Sequence, residues 1–524
     1  MILFLLEKER FLRFEKPGSR WGGNVVLVRD ILGKWRSSGR TAIIYKGGKI
    51  SYRDLYEQCN YYHTLLQRTV TSDEARTNIG IFLPNSLDYA IAYFAVSLLG
   101  RIIVPIHVHA KLREMISTID YCDVEWVITN CGHKSKLTGP LTGTGRLKIF
   151  DMDEYRKEPP YDRERETDEI GQAVPGQEEN VAILLHTSGT TSYPKRVMLT
   201  HKNLLTNIRS NIHSLKLTED DRTLISLPMS FGYCHTAQFL THLYLGASIV
   251  IMDGIFTPHK FCQQVQEDKV TNFTAVPSFI LSLLSYQNLS QYDLSSLRIL
   301  CFGGGRMPAE KLQQLQKKLP HIGFVQTYGQ TEASPRITCL LPGDSRSKAG
   351  SVGKPIPGVQ VRIINTSGTD AAVGEVGEII VKGDNVMKGY YKRPAETASV
   401  IRNGWLYTGD LARYDEEKYI YLVGRKKNII ISGGLNIYPE EIEELLLSHP
   451  AVKEVCVKGE ENSLLGEVPV AYIVPKEGSP IREDQLKRFC IDQLDIHKVP
   501  RRVQLVKSLP KTHSGKVQRY AIKS

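Results

Sequence analysis

Apolar positions along this chain alternate between short continuous runs and longer runs at helical spacing. "TNIGIFLP" (77–84) predicts a buried strand, and "SLDYAIAYFAVSLLG" predicts an amphipathic helix stopped by Gly100. "RIIVPIH" predicts the next strand. "CDVEWVITN", "GASIVIMDG", "VTNFTAVPS" and "LRILCFGGG" repeat the theme, with helical segments between several of them. Strand–helix alternation over roughly the first two-thirds of the chain predicts parallel sheets covered by helices. From about Pro355 the pattern changes. "VQVRIIN", "GEVGEIIVKG" and "EKYIYLVG" are short strands broken by Gly, Asp and Pro, as in a β-rich subdomain.

After Gly424 the stretch "RKKNIIISGGLNIYPEEIEELLLSHPAV" carries a well-marked helix. Pro439 sits in its first turn, acidic residues follow, and Ile442, Leu445 and Leu446 share one face. His449-Pro450 ends it, and the rest of the chain reads as a compact α+β unit. The expected fold is α/β, with a large N-terminal domain of helix-covered parallel sheets (1–424) that includes the β-rich subdomain. A small α+β C-terminal domain (425–524) follows.

Composition narrows the class. A chain of 524 residues is too long for one hydrophobic core, and 41% apolar with 23% charged residues is ordinary for a globular protein. The formal charge of +11 suits a polyanionic ligand such as a nucleotide or coenzyme A, or simply a solvated basic surface. No Lys/Arg block interleaves with aromatics, so nucleic acid is not an expected partner. The nine Cys are scattered, without CxxC pairs or His at metal spacing, which points to a reduced, cytoplasmic setting. "MILFLLEKER" lacks the basic leader and length of a signal peptide, and no run approaches a membrane span.

Candidate chemistry concentrates in "LLHTSGTTSYPKRVMLT" (184–200). This is not a Walker A sequence, because no GxxxxGK[ST] is present. Thr187, Ser188, Gly189, Thr190 and Thr191 nevertheless follow a strand-like run, and Lys195 closes the segment. Backbone N–H groups in such a turn form an anion-binding nest, to which hydroxyls and an ammonium add donors. An ordinary Ser/Thr-rich turn would look the same by itself.

Four further stretches follow in order: "YGQTE" (328–332), "YTGD" (407–410), "GRKKNIIISGGLNIYPEEIE" (424–443) and "PKTHSGKVQR" (510–519). With the opening loop they closely resemble the adenylate-forming superfamily of acyl- and aryl-CoA synthetases, adenylation domains and luciferases. The resemblance runs from about Ala42 to the C-terminus. It implies that a carboxylic acid is joined to AMP with loss of pyrophosphate, and that a thiol then attacks the acyl-adenylate. By the same resemblance the 187–195 loop would hold the β- and γ-phosphates of ATP, Thr331 would touch the α-phosphate, and Glu332 would bind Mg²⁺. Gly303, Gly304 and Gly305 would let adenine and acyl group lie against backbone, with Tyr328 stacking on the base. Asp410 would accept from the ribose hydroxyls, with Arg425 nearby. Lys516 would be a catalytic Lys on a mobile C-terminal domain that turns about Lys427. That turn would bring Gly433 and Gly434 to the pantetheine arm of the thiol. The chain departs from the family pattern at Ser192 and Arg196, where Gly is usual, and at Asn428, where an acid is usual.

"SLPMSFGYCHTAQFLTHLYLGA" (226–247) aligns with the acyl pocket, placing Phe231, Gly232, Tyr233 and His235 there. No carboxylate stands in this segment to pair with an ammonium, which argues against an amino acid and for an uncharged fatty or aryl acid. No carrier domain follows the Lys516 stretch, so the expected acceptor is external. Coenzyme A is the first choice and a phosphopantetheinyl acyl or peptidyl carrier protein the alternative. A catalytically silent nucleotide-binding protein would not need Glu332, Asp410, Arg425 and Lys516 together.

Overall fold

The structure is a computed structural model describing residues 26–70, 78–138, 147–156, 176–187, 195–305, 307–479, 481–511 and 517–522. Two large sheets carry most of the chain. The nine-stranded sheet runs in the order Lys354–Pro355, Arg336–Leu340, Gly323–Gly329, Ile299–Phe302, Asn272–Ala275, Arg222–Ile225, Ser248–Ile251, Thr41–Tyr45, Gly48–Ser51. It is parallel from Gly323–Gly329 through Thr41–Tyr45 and antiparallel at both edges. The seven-stranded sheet runs Gly389–Tyr390, Arg196–Thr200, Val181–His186, Ile103–Pro105, Asn78–Ile81, Val124–Thr129, Lys148–Asp151. Its last five strands are parallel and its first two pairings antiparallel. The expected helix-covered parallel sheets are present.

One core cluster unites apolar side chains from both sheets, and the helices Leu87–Leu98 and His201–Leu215 lie within it. The first departs from the amphipathic helix expected. Every residue from Tyr89 to Ser97 is buried, because protein covers the helix on all sides. Gly100, at φ +68°, ends it as anticipated.

The β-rich part is an antiparallel sheet of Gln360–Ile364, Gly377–Lys382, Trp405–Tyr414 and Ile401–Arg402, with Ile420–Arg425 paired to Trp405–Tyr414. A separate five-stranded sheet beginning at Ile430 has its own core, closed by helices Pro439–Ser448 and Glu483–Ile491. Pro439 occupies the first turn of its helix, and Ile442 and Leu446 form the buried face. Among the described residues, no helix is long and apolar enough to cross a membrane.

Candidate active site

Strands Ile299–Phe302 and Gly323–Gly329 run parallel, with Phe302 opposite Gln326, so "GGG" lies beside the end of the second strand, where "YGQTE" begins. The carboxyl ends of parallel strands leave a crevice in such sheets. Here it opens into a cleft of about 1240 Å³, walled by both large sheets, the β-rich sheet and the C-terminal unit.

One wall carries opposite charges held in register. Strand Arg196–Thr200 pairs with Gly389–Tyr390, matching Val197 to Tyr390, so Lys195 arrives beside that tyrosine. The Lys195 ammonium lies 4.5 Å from the centre of the Tyr390 ring. The Tyr390 hydroxyl donates to Glu332 Oε1 at 2.9 Å. Burial, then the Glu332 charge, pushes the Tyr390 pKa well up, so the hydroxyl stays a donor. Thr187 N–H donates to the Lys195 carbonyl at 3.2 Å, closing the loop between them. Ser188, Gly189, Thr190 and Thr191 lie outside the described residues, as does Ser192. Tyr390 was not anticipated, and the one available signal is the aromatic pair in "GYY" (389–391).

Thr331 and Glu332 form a single helical turn directly after Gly323–Gly329. Gly329 is obligatory there, since a Cβ would lie 1.8 Å from the Pro335 carbonyl oxygen. Tyr328 lines the cleft, and its hydroxyl donates to Asp410 Oδ2 at 2.7 Å. Asp410 Oδ1 meets Arg425 Nε at 2.6 Å, across the strand pairing that sets these two residues opposite each other. Asp410 is only 6% exposed, behind a cleft surface made by Thr408, Gly409 and Leu411. Each of its oxygens therefore already holds a protein donor, and Arg425 is the member of the pair that faces the cleft.

The acyl segment is divided. Phe231 and Tyr233 line the cleft, whereas Gly232 and His235 do not. His235 is fully buried, with Nε2 3.0 Å from the Tyr93 hydroxyl, and burial lowers its pKa to about 3. It is a neutral core histidine, not a pocket-wall residue. Gly304, at φ +76°, and Gly305 line the cleft, but Gly303 does not. The space a Gly303 side chain would take is filled by Thr327 Oγ1 at 2.4 Å and the Tyr233 hydroxyl at 3.3 Å. At Gly303 the expected open approach to backbone is therefore taken up by two hydroxyl side chains. The Tyr233 hydroxyl lies 2.7 Å from Thr327 Oγ1, which itself donates to the Phe302 carbonyl at 3.1 Å. Gly303→Ala is expected to cost about 1–3 kcal/mol by overpacking, read as a lower denaturant midpoint at unchanged slope.

The Arg196 guanidinium, which stands where Gly is usual in the family, reaches neither the phosphate side of the cleft nor solvent. It is 5% exposed, and Nη2 donates to Thr118 Oγ1 at 2.5 Å, away from the cleft. Asn428 donates to Glu440 Oε1 at 3.0 Å, so a carboxylate is present beside it, supplied by the helix Pro439–Ser448.

From the C-terminal unit, Lys427 and residues 517–520 line the cleft. Burial pulls the Lys427 ammonium below its ordinary value, and the Arg425 charge acts the same way. Arg519 is held by Glu440 at 3.4 Å and Glu443 at 3.0 Å. Lys516 lies outside the described residues, but its neighbour Val517 lines the cleft. Gly433 and Gly434 do not. They make the two-residue turn between Ser432 and Leu435, at φ +56° and +82°, and that left-handed turn is itself a sufficient reason for both glycines.

The AMP-binding enzyme family model matches residues 35–391, and that of the AMP-binding enzyme C-terminal domain matches 441–516. A long-chain-fatty-acid–CoA ligase of Bacillus subtilis (strain 168) is 32% identical over 517 residues, spanning 92% of this chain and 91% of that protein. A feruloyl-CoA synthase of an Amycolatopsis species is 32% identical over 494 residues, spanning 93% and 97%. The solved o-succinylbenzoate CoA synthetase of Bacillus subtilis, in complex with its acyl-adenylate intermediate, superposes with a TM-score of 0.85 at 31% identity, covering 94% of this chain and 97% of that one. The chain belongs to the AMP-binding enzyme family and is, within the adenylate-forming superfamily, an enzyme of the acyl-CoA synthetase type.

Proposed function

We propose that the protein joins a carboxylic acid to AMP at this cleft, expels pyrophosphate, and passes the acyl group to the thiol of coenzyme A. The observation that carries the reading is the convergence on one cleft of Lys195, Tyr390 and Glu332 with Tyr328 and the Arg425–Asp410 pair. A carboxylate is a poor electrophile and repels a polyphosphate, so activation requires charge neutralisation and fixed geometry. Lys195, Arg425 and Lys427 supply positive charge from different walls. Thr187 and the 188–194 loop would hold the outer phosphates, Thr331 the α-phosphate, and Tyr328 the base.

The donor set fits a divalent ion. Glu332 offers an oxygen ligand on the cleft, and Tyr390 fixes its rotamer by occupying only one of its two oxygens. Mg²⁺ held there would neutralise phosphate charge. Asp410 acts through Arg425 and Tyr328, orienting both, and remaining lone pairs on its oxygens are its route to a ribose hydroxyl. Lys516 would place an ammonium between the attacking carboxylate and the α-phosphate, and the placement of residues 517–520 supports this. The nine unpaired cysteines support a cytoplasmic setting.

Two half-reactions on one cleft are served best by a C-terminal domain (425–524) that turns against residues 1–424. Residues 426–429, which include Lys427, connect the strand ending at Arg425 to the strand starting at Ile430, and the Gly433–Gly434 turn now off the cleft would be brought to the thiol. Lys427→Pro is expected to trap one orientation, since Pro fixes φ near about −65°. Adenylation should survive better than thioester transfer. Equal rates for both relative to wild type would move the hinge elsewhere.

The test is product analysis. Protein, ATP and Mg²⁺ are mixed with fatty, aryl, β-hydroxy, dicarboxylic and amino acids, then offered coenzyme A or a phosphopantetheinyl carrier protein. An acyl-CoA product is expected. A thioester formed only on the carrier would replace coenzyme A as acceptor, and no thioester on either would overturn the ligase reading.

A further inference from the structure

The floor of the acyl side holds a charge that the activation chemistry does not use. Arg336 lies on strand Arg336–Leu340, lines the cleft, and is only 1% exposed, among the largest side chains so deeply buried in the described residues. One guanidinium nitrogen, Nη1, donates to Asn211 Oδ1. Asn211 is locked in that orientation, because its amide nitrogen donates to the Ala237 carbonyl at 3.0 Å and to Thr241 Oγ1 at 3.2 Å. Nε and Nη2 make no hydrogen bond of good geometry among the described residues, and the neutral Tyr233 hydroxyl and Cys301 thiol are the groups close enough to interact with the guanidinium.

Among the described residues no carboxylate forms an ion pair with this cation. Its charge acts on the Tyr233 hydroxyl and on the thiols of Cys301 and Cys339, and the first two also interact with it as hydrogen-bonding groups. Burial raises Tyr233 to about 12 and pushes both thiols up as well, so all three stay neutral near pH 7. A buried guanidinium with poorly satisfied donors and only neutral neighbours is costly unless an anion completes it. Its neighbours are also distinct from the phosphate side of the cleft. Tyr233, Cys301, Cys339 and Asn211 share no member with Lys195, Tyr390 and Glu332. The missing partner is therefore a group on the acid other than the carboxylate being activated.

We propose that the acid substrate carries a second, anionic group, a carboxylate at its far end, which docks on Nε and Nη2 of Arg336. The inference rests on the acid-activating reading above and names the substrate class for it. Two parallel N–H donors match the two oxygens of a carboxylate. Asn211 holds the guanidinium plane, and the Tyr233–Thr327 hydroxyl pair borders it. The same guanidinium rejects a plain alkyl chain, since packing methylenes against it leaves its donors unpaired. Arg336 is then a specificity-determining residue, with no part in the bond changes.

Matched acids test this: adipate against hexanoate, suberate against octanoate, and terephthalate against p-toluate. Each is assayed for acid-dependent ATP–pyrophosphate exchange. Wild type is expected to favour the diacid of at least one pair by about a hundredfold in kcat/KM, the scale of a desolvated charge pair. In Arg336→Met the preference should collapse or reverse, and Arg336→Lys should restore part of it, whereas a merely structural role would lower both acids of a pair alike. Should the variants fail to fold, wild-type preference and calorimetric binding of the same pairs still decide. Monoacids used as well as or better than diacids throughout would overturn the proposal alone. No exchange with any acid would overturn the activation reading and this proposal with it.

Discussion

Lys516→Ala is expected to lower acyl-adenylate formation by about a thousandfold, while thioester formation from supplied acyl-adenylate persists. The argument runs from placement to chemistry. Residues 517–520 line the cleft, and Arg519 is clamped by Glu440 and Glu443 of the helix Pro439–Ser448. This anchors the segment next to Lys516 at the cleft that Glu332 and Thr331 also line. An ammonium delivered there meets charge that develops only as the carboxylate attacks the α-phosphate, which is where electrostatic assistance lowers a barrier most. On the proposed reading, thiol attack would use the Gly433–Gly434 face and not this lysine. Both half-reactions are measured on one preparation, with a thermal melt as control for folding. Equal loss in both would contradict a C-terminal unit that changes orientation between them.

The second large effect falls on Glu332. Glu332→Gln keeps an oxygen to accept from Tyr390 but removes the charge a divalent ion needs, so the geometry survives and the metal does not. Pyrophosphate exchange should fall by about a hundredfold, because a bound divalent ion contributes several kcal/mol at a phosphoryl centre. The Mg²⁺ concentration for half-maximal rate should rise. A variant with an unchanged Mg²⁺ dependence would place the metal on another ligand.

The strand ends and their loops were legible in the sequence because local chemistry writes them locally. "YGQTE" shows a strand, a Gly with no room for a side chain, and a turn bearing hydroxyl and carboxylate, all within five residues. What the sequence hid depends on pairing between distant segments. Tyr390 reaches Glu332 only because Gly389–Tyr390 adds to the edge of Arg196–Thr200, a short strand pairing with no hydrophobic period to announce it. Arg196 adjoins the candidate phosphate loop in sequence, yet the strand's alternation turns it toward Thr118. His235 sits beside Tyr233, but the helix sends one to the cleft and the other to Tyr93. Gly303 implied an open wall only until Thr327 and Tyr233 were seen to fill its place. Arg336 follows a recognised motif by four residues and carries no local mark of burial, so a pocket that looked apolar from Gly232 onward proves to hold a guanidinium.

The most direct measurement is acid-dependent exchange of labelled pyrophosphate into ATP, made without any thiol present. Exchange requires that the acid–AMP anhydride form reversibly on the protein, which is the whole claim made for the Lys195–Tyr390–Glu332 wall. The account predicts exchange that needs both Mg²⁺ and a carboxylic acid, with AMP and pyrophosphate as the cleavage products. ATP split to ADP and phosphate, or exchange indifferent to the acid, would contradict it.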